Sequence, residues 1–204
     1  MTNFLIFVLS FFFLLSSIIG YGILFNNFCF KRINDLFDEN SIFIGFYGLF
    51  FVTFISLFSS LFLQHNFIHN ILLHSIGLLL LIFLPSKNKN RYLIHIFVIA
   101  ILLFSALLIS KTHDDFSYYH FTFTKYLTEQ KVIFGMANIG HGYKLLSSLF
   151  FFNSTLYLPY IEYYSFHFTL LFVLIFFNYF LYKEIIFENN HNIIKFLYLF
   201  ALTF

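Results

Sequence analysis

The feature that most constrains this chain is the length of its uninterrupted apolar runs. Five stretches, at about Phe4 to Phe25, Ile42 to Leu63, Phe67 to Leu84, Tyr92 to Ile109 and Tyr163 to Tyr182, are apolar over roughly 18 to 22 residues each. A strand buried in a sheet needs only about 4 to 8 such residues, whereas a helix crossing a ~30 Å hydrocarbon layer needs about 20. Within lipid a lone segment satisfies its backbone hydrogen bonds only as a helix. The runs therefore predict an all-α, polytopic transmembrane helix bundle of about five to six spans. A sixth run opens near Ile193 and reaches Phe204 after 12 residues. That is too short to cross, so it is expected either to be re-entrant or, the preferred reading, to belong to a longer chain.

Composition agrees. Hydrophobic residues make up 60% of the 204 positions and charged residues 10%, against about 25% charged in an ordinary soluble domain. Too little polar surface exists to coat a water-soluble fold. The 37 Phe and the absence of Trp read as compositional bias and carry no functional weight. The lone Cys29 excludes an internal disulfide or a cysteine metal cluster. A net charge of +2 with no basic cluster argues against nucleic acid as a partner; membrane lipids are the expected surroundings.

No Lys or Arg precedes the first run, and no small-residue cleavage site follows it, so that run is expected to stay in the membrane. If the spans alternate, Lys31, Arg32, Lys87, Lys89, Arg91, Lys183 and Lys195 fall on one side, in short loops. The positive-inside rule makes that side the cytoplasm. Lys111, Lys125, Lys131 and Lys144 all lie in one long segment on the other side, and long loops translocate with little regard to charge. The organisation predicted is four transmembrane helices over 1–109, an external loop with interfacial helices over 110–162, and over 163–204 a fifth span with the start of a sixth. The N-terminus and the long loop are expected outside. Within that loop 145–158 (LLSSLFFFNSTLYL) is apolar but short, and is expected to lie in the interface or dip in rather than span.

Chemistry-bearing residues concentrate in the same loop. The segment 111–120 (KTHDDFSYYH) puts two adjacent carboxylates, Asp114 and Asp115, where the fourth span leaves the membrane. One can act as general base beside an ionised partner, or both can ligate a divalent metal through oxygen. A simpler reading makes them first-turn acids of an interfacial helix capped by Thr112. A helix starting near Thr112 would align His113, Ser117, His120 and Thr124 on one face, with Asp115 and Tyr119 beside them. A second segment, 135–144 (GMANIGHGYK), brings three glycines, His141 and Lys144 to a turn able to wrap a phosphate. It lacks the spacing of a P-loop, and an ordinary glycine turn explains it as well. His65, His69 and His74 read as interfacial histidines without special role. His95 and His167 lie near span ends, where they can face a polar cavity or reach the headgroups.

The acid pair Asp114 and Asp115, with Tyr119, His120, the stretch Gly140 to Lys144 and Ser147 with Ser148, resembles the GT-C class of membrane glycosyltransferases and uncharacterised bacterial polytopic proteins related to it. The resemblance covers roughly Ile101 to Tyr182. It implies transfer of a sugar from a polyprenyl-phosphate donor to a glycan, lipid or protein acceptor of the cell envelope, at the outer face of the bacterial cytoplasmic membrane. Asp114 or Asp115 would deprotonate or hold the acceptor. Some members of the class use a divalent metal, for which these two acids are the candidate ligands. His113, Tyr119, His120, His141 and Lys144 are the candidate substrate contacts. Four spans precede the acids here, where GT-C enzymes carry their acidic loop directly after the first. The competing classes are an envelope transporter, flippase or polymerase-like protein, and a membrane subunit without catalysis.

Overall fold

The computed structural model describes residues 2–30, 42–86, 88–108, 116–118, 120–135, 138 and 147–187. Seven α-helices follow in order: α1 (Thr2–Phe30), α2 (Ile44–Ser59), α3 (Phe67–Phe83), α4 (Lys89–Phe104), α5 (His120–Glu129), α6 (Ser148–Thr155) and α7 (Phe168–Phe187). Two 3-10 turns, Ser105–Leu108 and Tyr163–His167, extend α4 and precede α7. No strand is present among the described residues.

Three helical stretches, Phe4–Cys29, Lys89–Leu107 and Tyr163–Ile185, are long and apolar enough to cross a membrane. The second and third apolar runs form shorter helices of 16 and 17 residues. At 1.5 Å per residue these measure about 24 to 26 Å. Their ends have local causes. Near the C-terminus of α2 the hydroxyls of Ser56, Ser59 and Ser60 donate to the carbonyls of Thr53, Ser56 and Leu57, competing with the helix ladder as short hydroxyl side chains do. At the end of α3, Leu84 turns to an extended conformation before Pro85, which disfavours the helical region for the residue ahead of it. Lys89 then reaches back to donate to the carbonyls of Leu81, Ile82 and Leu84, closing the exposed negative end of α3.

Helix α1 is the centre of the bundle, packed along α2 on one side and α3 on the other. Two glycines make this possible. A Cβ on Gly20 would overlap the carbonyl oxygen of Gly77 in α3, and one on Gly22 would overlap that of Ile44 in α2. Two residues apart on a helix is about 200° of rotation, so the glycines open opposite faces. Such close backbone approach is how helices associate where lipid removes the hydrophobic driving force between them. Helix α7 closes the bundle against α4, and around the join the rings of Phe7 and Phe11 meet those of Phe104 and Phe168, with Phe11 stacked on Phe172.

Contacts fix the relative directions. Gly22 meets Ile44 while Ile18 meets Gly48, so α1 and α2 are antiparallel. Asn27 bonds the Pro85 carbonyl while Ser17 meets His74, so α1 and α3 run together. His95 early in α4 faces Tyr182 late in α7. One end of the bundle therefore gathers the starts of α1, α3 and α7 with the end of α2, and α5 and α6 pack there. Lys89, Arg91 and Lys183 lie at the other.

The eight-residue α6 is too short to cross, at about 12 Å. It inserts into that end of the bundle, with Phe151, Phe152, Ser154 and Thr155 buried against neighbouring helices. Phe150 and Phe151 form a small second core with Phe123 and Leu127 of α5.

Candidate functional site

A short helix ending inside a bundle leaves carbonyls without partners. Here α3 supplies them. Asn70 Nδ2 donates to the carbonyls of Ser154, Tyr157 and His65, each at 2.9 Å, and His74 Nε2 lies 3.0 Å from the Thr155 carbonyl. His65, Asn70 and His74 are fully buried. The reading of His65 and His74 as interfacial is corrected: both lie inside the protein, because α6 brings them acceptors that the sequence places more than 80 residues away.

The acceptors also fix the protons. A carbonyl only accepts, so His74 carries its proton on Nε2 and its Nδ1 accepts from Ser17 Oγ at 3.0 Å. Ser154 Oγ donates to the Phe151 carbonyl, so it accepts from His65 Nδ1 at 2.6 Å, and His65 Nε2 lies 2.9 Å from Ser59 Oγ. Each ring nitrogen of the two histidines therefore has a polar partner within 3.0 Å. Burial pushes the His65 pKa down to about 3, helped by the stacked His69 ring 4.6 Å away. An unfolded histidine titrates near 6.5. Below that pH the unfolded chain takes up a proton that folded His65 refuses. The stability conferred is thus complete above about 6.5 and is lost as pH falls toward 3, at about 1.4 kcal/mol per pH unit. Thermal unfolding of the detergent-solubilised protein is expected to show a midpoint that drops from pH 7 to pH 5, with a shallower drop in His65→Gln.

Held in this way, α6 forms a wall of the first of two adjoining cavities. The first, about 290 Å³, is lined by His120 at the start of α5, by Ser147, Phe150 and Asn153 at and along α6, and by Phe166, His167 and Thr169 where the 3-10 turn passes into α7. Ser147 caps α6 by accepting from the Leu149 N–H. Thr169 Oγ1 donates to Asn153 Oδ1, tying α7 to α6 across the floor. The His120 ring stands edge-on to Phe150, with centroids 5.0 Å apart. The N-terminal ends of α5 and α6 open onto this cavity, an arrangement that favours negative charge.

The second cavity, about 340 Å³, is lined by Phe116, Phe121, Glu162, Tyr163, Tyr164 and His167. Phe116 and His167 belong to both, stacked with centroids 5.9 Å apart. Glu162 reaches its place through an unusual backbone, φ 44° and ψ −125°, at the close of a tight turn in which its N–H donates to the Leu158 carbonyl. A non-glycine residue there costs about 1–3 kcal/mol and persists only where its surroundings enforce it. The Ser165 hydroxyl, donating to the Glu162 carbonyl at 2.7 Å, is one restraint.

Of the residues singled out in the sequence, His120 and His167 come together on the first cavity. Asp114, Asp115, His113, Tyr119, His141 and Lys144 lie outside the described residues. Of the expected helical face, His113 lies outside the described residues, 117–118 form a turn, and His120 and Thr124 share a turn of α5, joined by a 2.7 Å bond from Thr124 Oγ1 to the His120 carbonyl. Gly135 has the positive φ of 91° expected of the glycine turn. Asn153, Thr169 and the strained Glu162 were not distinguished as one site; the available signal was polar residues interrupting apolar strings on both sides of the 158–162 turn. Among the described residues no group of three or more His, Cys, Asp or Glu is placed to hold a metal ion. The sequence matches no protein-family model, no curated protein and no solved structure.

Proposed function

We propose that this chain acts as a glycosyltransferase-like protein of the bacterial cytoplasmic membrane, moving a sugar from a polyprenyl-phosphate donor to an envelope glycan, lipid or protein acceptor. In this reading α1, α2, α3, α4 and α7 all cross, with the cavities at the outer face and Lys89, Arg91 and Lys183 toward the cytoplasm. The alternating helix directions support that arrangement. The observation that carries the functional reading is that Phe116, next in sequence to Asp115, lines both cavities.

The chemistry fits a lipid phosphate. The first cavity joins His120, Asn153 and His167 to an apolar wall at a membrane-facing end of the bundle, with two helix N-termini to receive the anion. In the transfer, Asp114 or Asp115 takes the acceptor hydroxyl proton as its oxygen bonds the anomeric carbon. The bond from that carbon to the phosphate oxygen breaks, and polyprenyl phosphate leaves. A transporter would use its interior polar groups to line a path, whereas His65, Asn70 and His74 are engaged in holding α6.

The test is incorporation of radiolabelled sugar from polyprenyl-phosphate donors in membranes containing the protein. His120→Ala and His167→Ala are each expected to lower transfer about tenfold or more at equal protein level, the worth of a hydrogen bond to a charged group. Undiminished transfer in both variants overturns the phosphate assignment.

A further inference from the structure

The second cavity has a different chemistry from the first. Its rim carries a carboxylate, Glu162, which repels a phosphate. Its walls are aromatic: Phe121 stands edge-on to Tyr163 at 5.1 Å and lies 5.8 Å from Phe116. At about 340 Å³ it falls within the ~300–1,000 Å³ range of small-molecule sites. A pyranose has this complementarity, because one face of the ring is C–H and packs on an aromatic plane while its edge carries hydroxyl donors for a carboxylate. Charge-assisted hydrogen bonds of that kind are the stronger ones. The other histidine nitrogen chemistry needed, donor or acceptor, is available from His167, which the cavity shares with its neighbour.

We infer that the cavity of Glu162, Phe121, Tyr163 and His167 is a neutral-sugar subsite, in which Glu162 binds ring hydroxyls and the aromatic side chains take the apolar face. Its connection to transfer rests on the reading above, with the phosphate in the adjoining cavity across Phe116 and His167. The strained turn, in which Tyr160 also has a positive φ of 69°, sets Glu162 at the rim beside Tyr163 with φ 44°, and backbone strain of this kind clusters at functional sites.

Saturation-transfer NMR on the protein in nanodiscs tests this without turnover, using methyl hexopyranosides of the gluco, galacto and manno series and tetramethylammonium as a cationic control for an aromatic cage. At least one methyl glycoside is expected to receive saturation. Glu162→Gly is expected to weaken its binding at least tenfold while leaving the thermal midpoint unchanged or higher, since glycine accepts the positive φ freely. Glu162→Gln, which keeps the side-chain shape and one acceptor, is expected to fall between. No glycoside signal in the wild type, unchanged binding in both variants, or saturation of tetramethylammonium in place of every glycoside overturns the inference. Glycoside binding in a protein that transfers no sugar upholds the subsite and removes the transferase reading; transfer without glycoside binding does the reverse.

Discussion

Gly20→Leu is expected to prevent formation of the bundle. The Gly20 Cα faces the α3 backbone so closely that a Cβ would overlap the Gly77 carbonyl oxygen and crowd the Leu81 nitrogen. Neither is the flexible tip of a side chain, so relief requires α1 and α3 to move apart. That movement also strains the Tyr21 hydroxyl bond to the Leu73 carbonyl, 2.8 Å, and the bond between Ser17 and His74. Overpacking in a close-packed interior typically costs about 1–3 kcal/mol, and three heavy atoms beyond Cβ against backbone place the cost at about 3 kcal/mol or more, a large fraction of a marginal stability. Gly20→Ala should be milder yet still destabilising. Leu72→Ala, on an exposed position of α3, should be near neutral. Size-exclusion profile and protease resistance in detergent, compared across the three variants, check this ordering; a Gly20→Leu protein as monodisperse and resistant as the wild type would mean that α1 and α3 do not cross as described.

The all-helical character of the chain was legible because it depends on run length alone, which a sequence displays directly. Helix ends were less so. The second run reads as apolar through Leu63, but the hydroxyls at Ser56, Ser59 and Ser60 bond carbonyls locally and end α2 at Ser59. The role of α6 was hidden for a different reason. Its partners His65, Asn70 and His74 are 81 to 89 residues distant, and i, i+4 spacing reports that His65 and His69 share a side, not that α6 covers His65. The same limit applies to the site. His120 and His167 were each noticed, but their meeting depends on how α6 wedges between α5 and α7, which no local pattern encodes. Glu162 closes the long loop in the sequence without standing out, because a positive φ at a glutamate has no sequence signature.

Asp114→Asn and Asp115→Asn carry the largest expected effect on activity. A general base removes the acceptor proton in the transition state and contributes about 100- to 10,000-fold. Asparagine preserves shape and hydrogen bonding yet cannot accept that proton at neutral pH. If instead the pair only caps an interfacial helix, the substitutions cost a few tenths of a kcal/mol in dipole interaction and leave activity nearly intact. The two readings are thus separated by two orders of magnitude or more, far beyond any effect of small changes in protein level.

The most direct measurement is therefore the rate of labelled-sugar transfer from polyprenyl-phosphate donors in membranes bearing wild type, Asp114→Asn or Asp115→Asn at matched abundance. Transfer by the wild type, with a loss of about 100-fold or more in at least one variant, is the predicted result and identifies the base. Equal transfer by all three, or none by the wild type with any donor, contradicts the account.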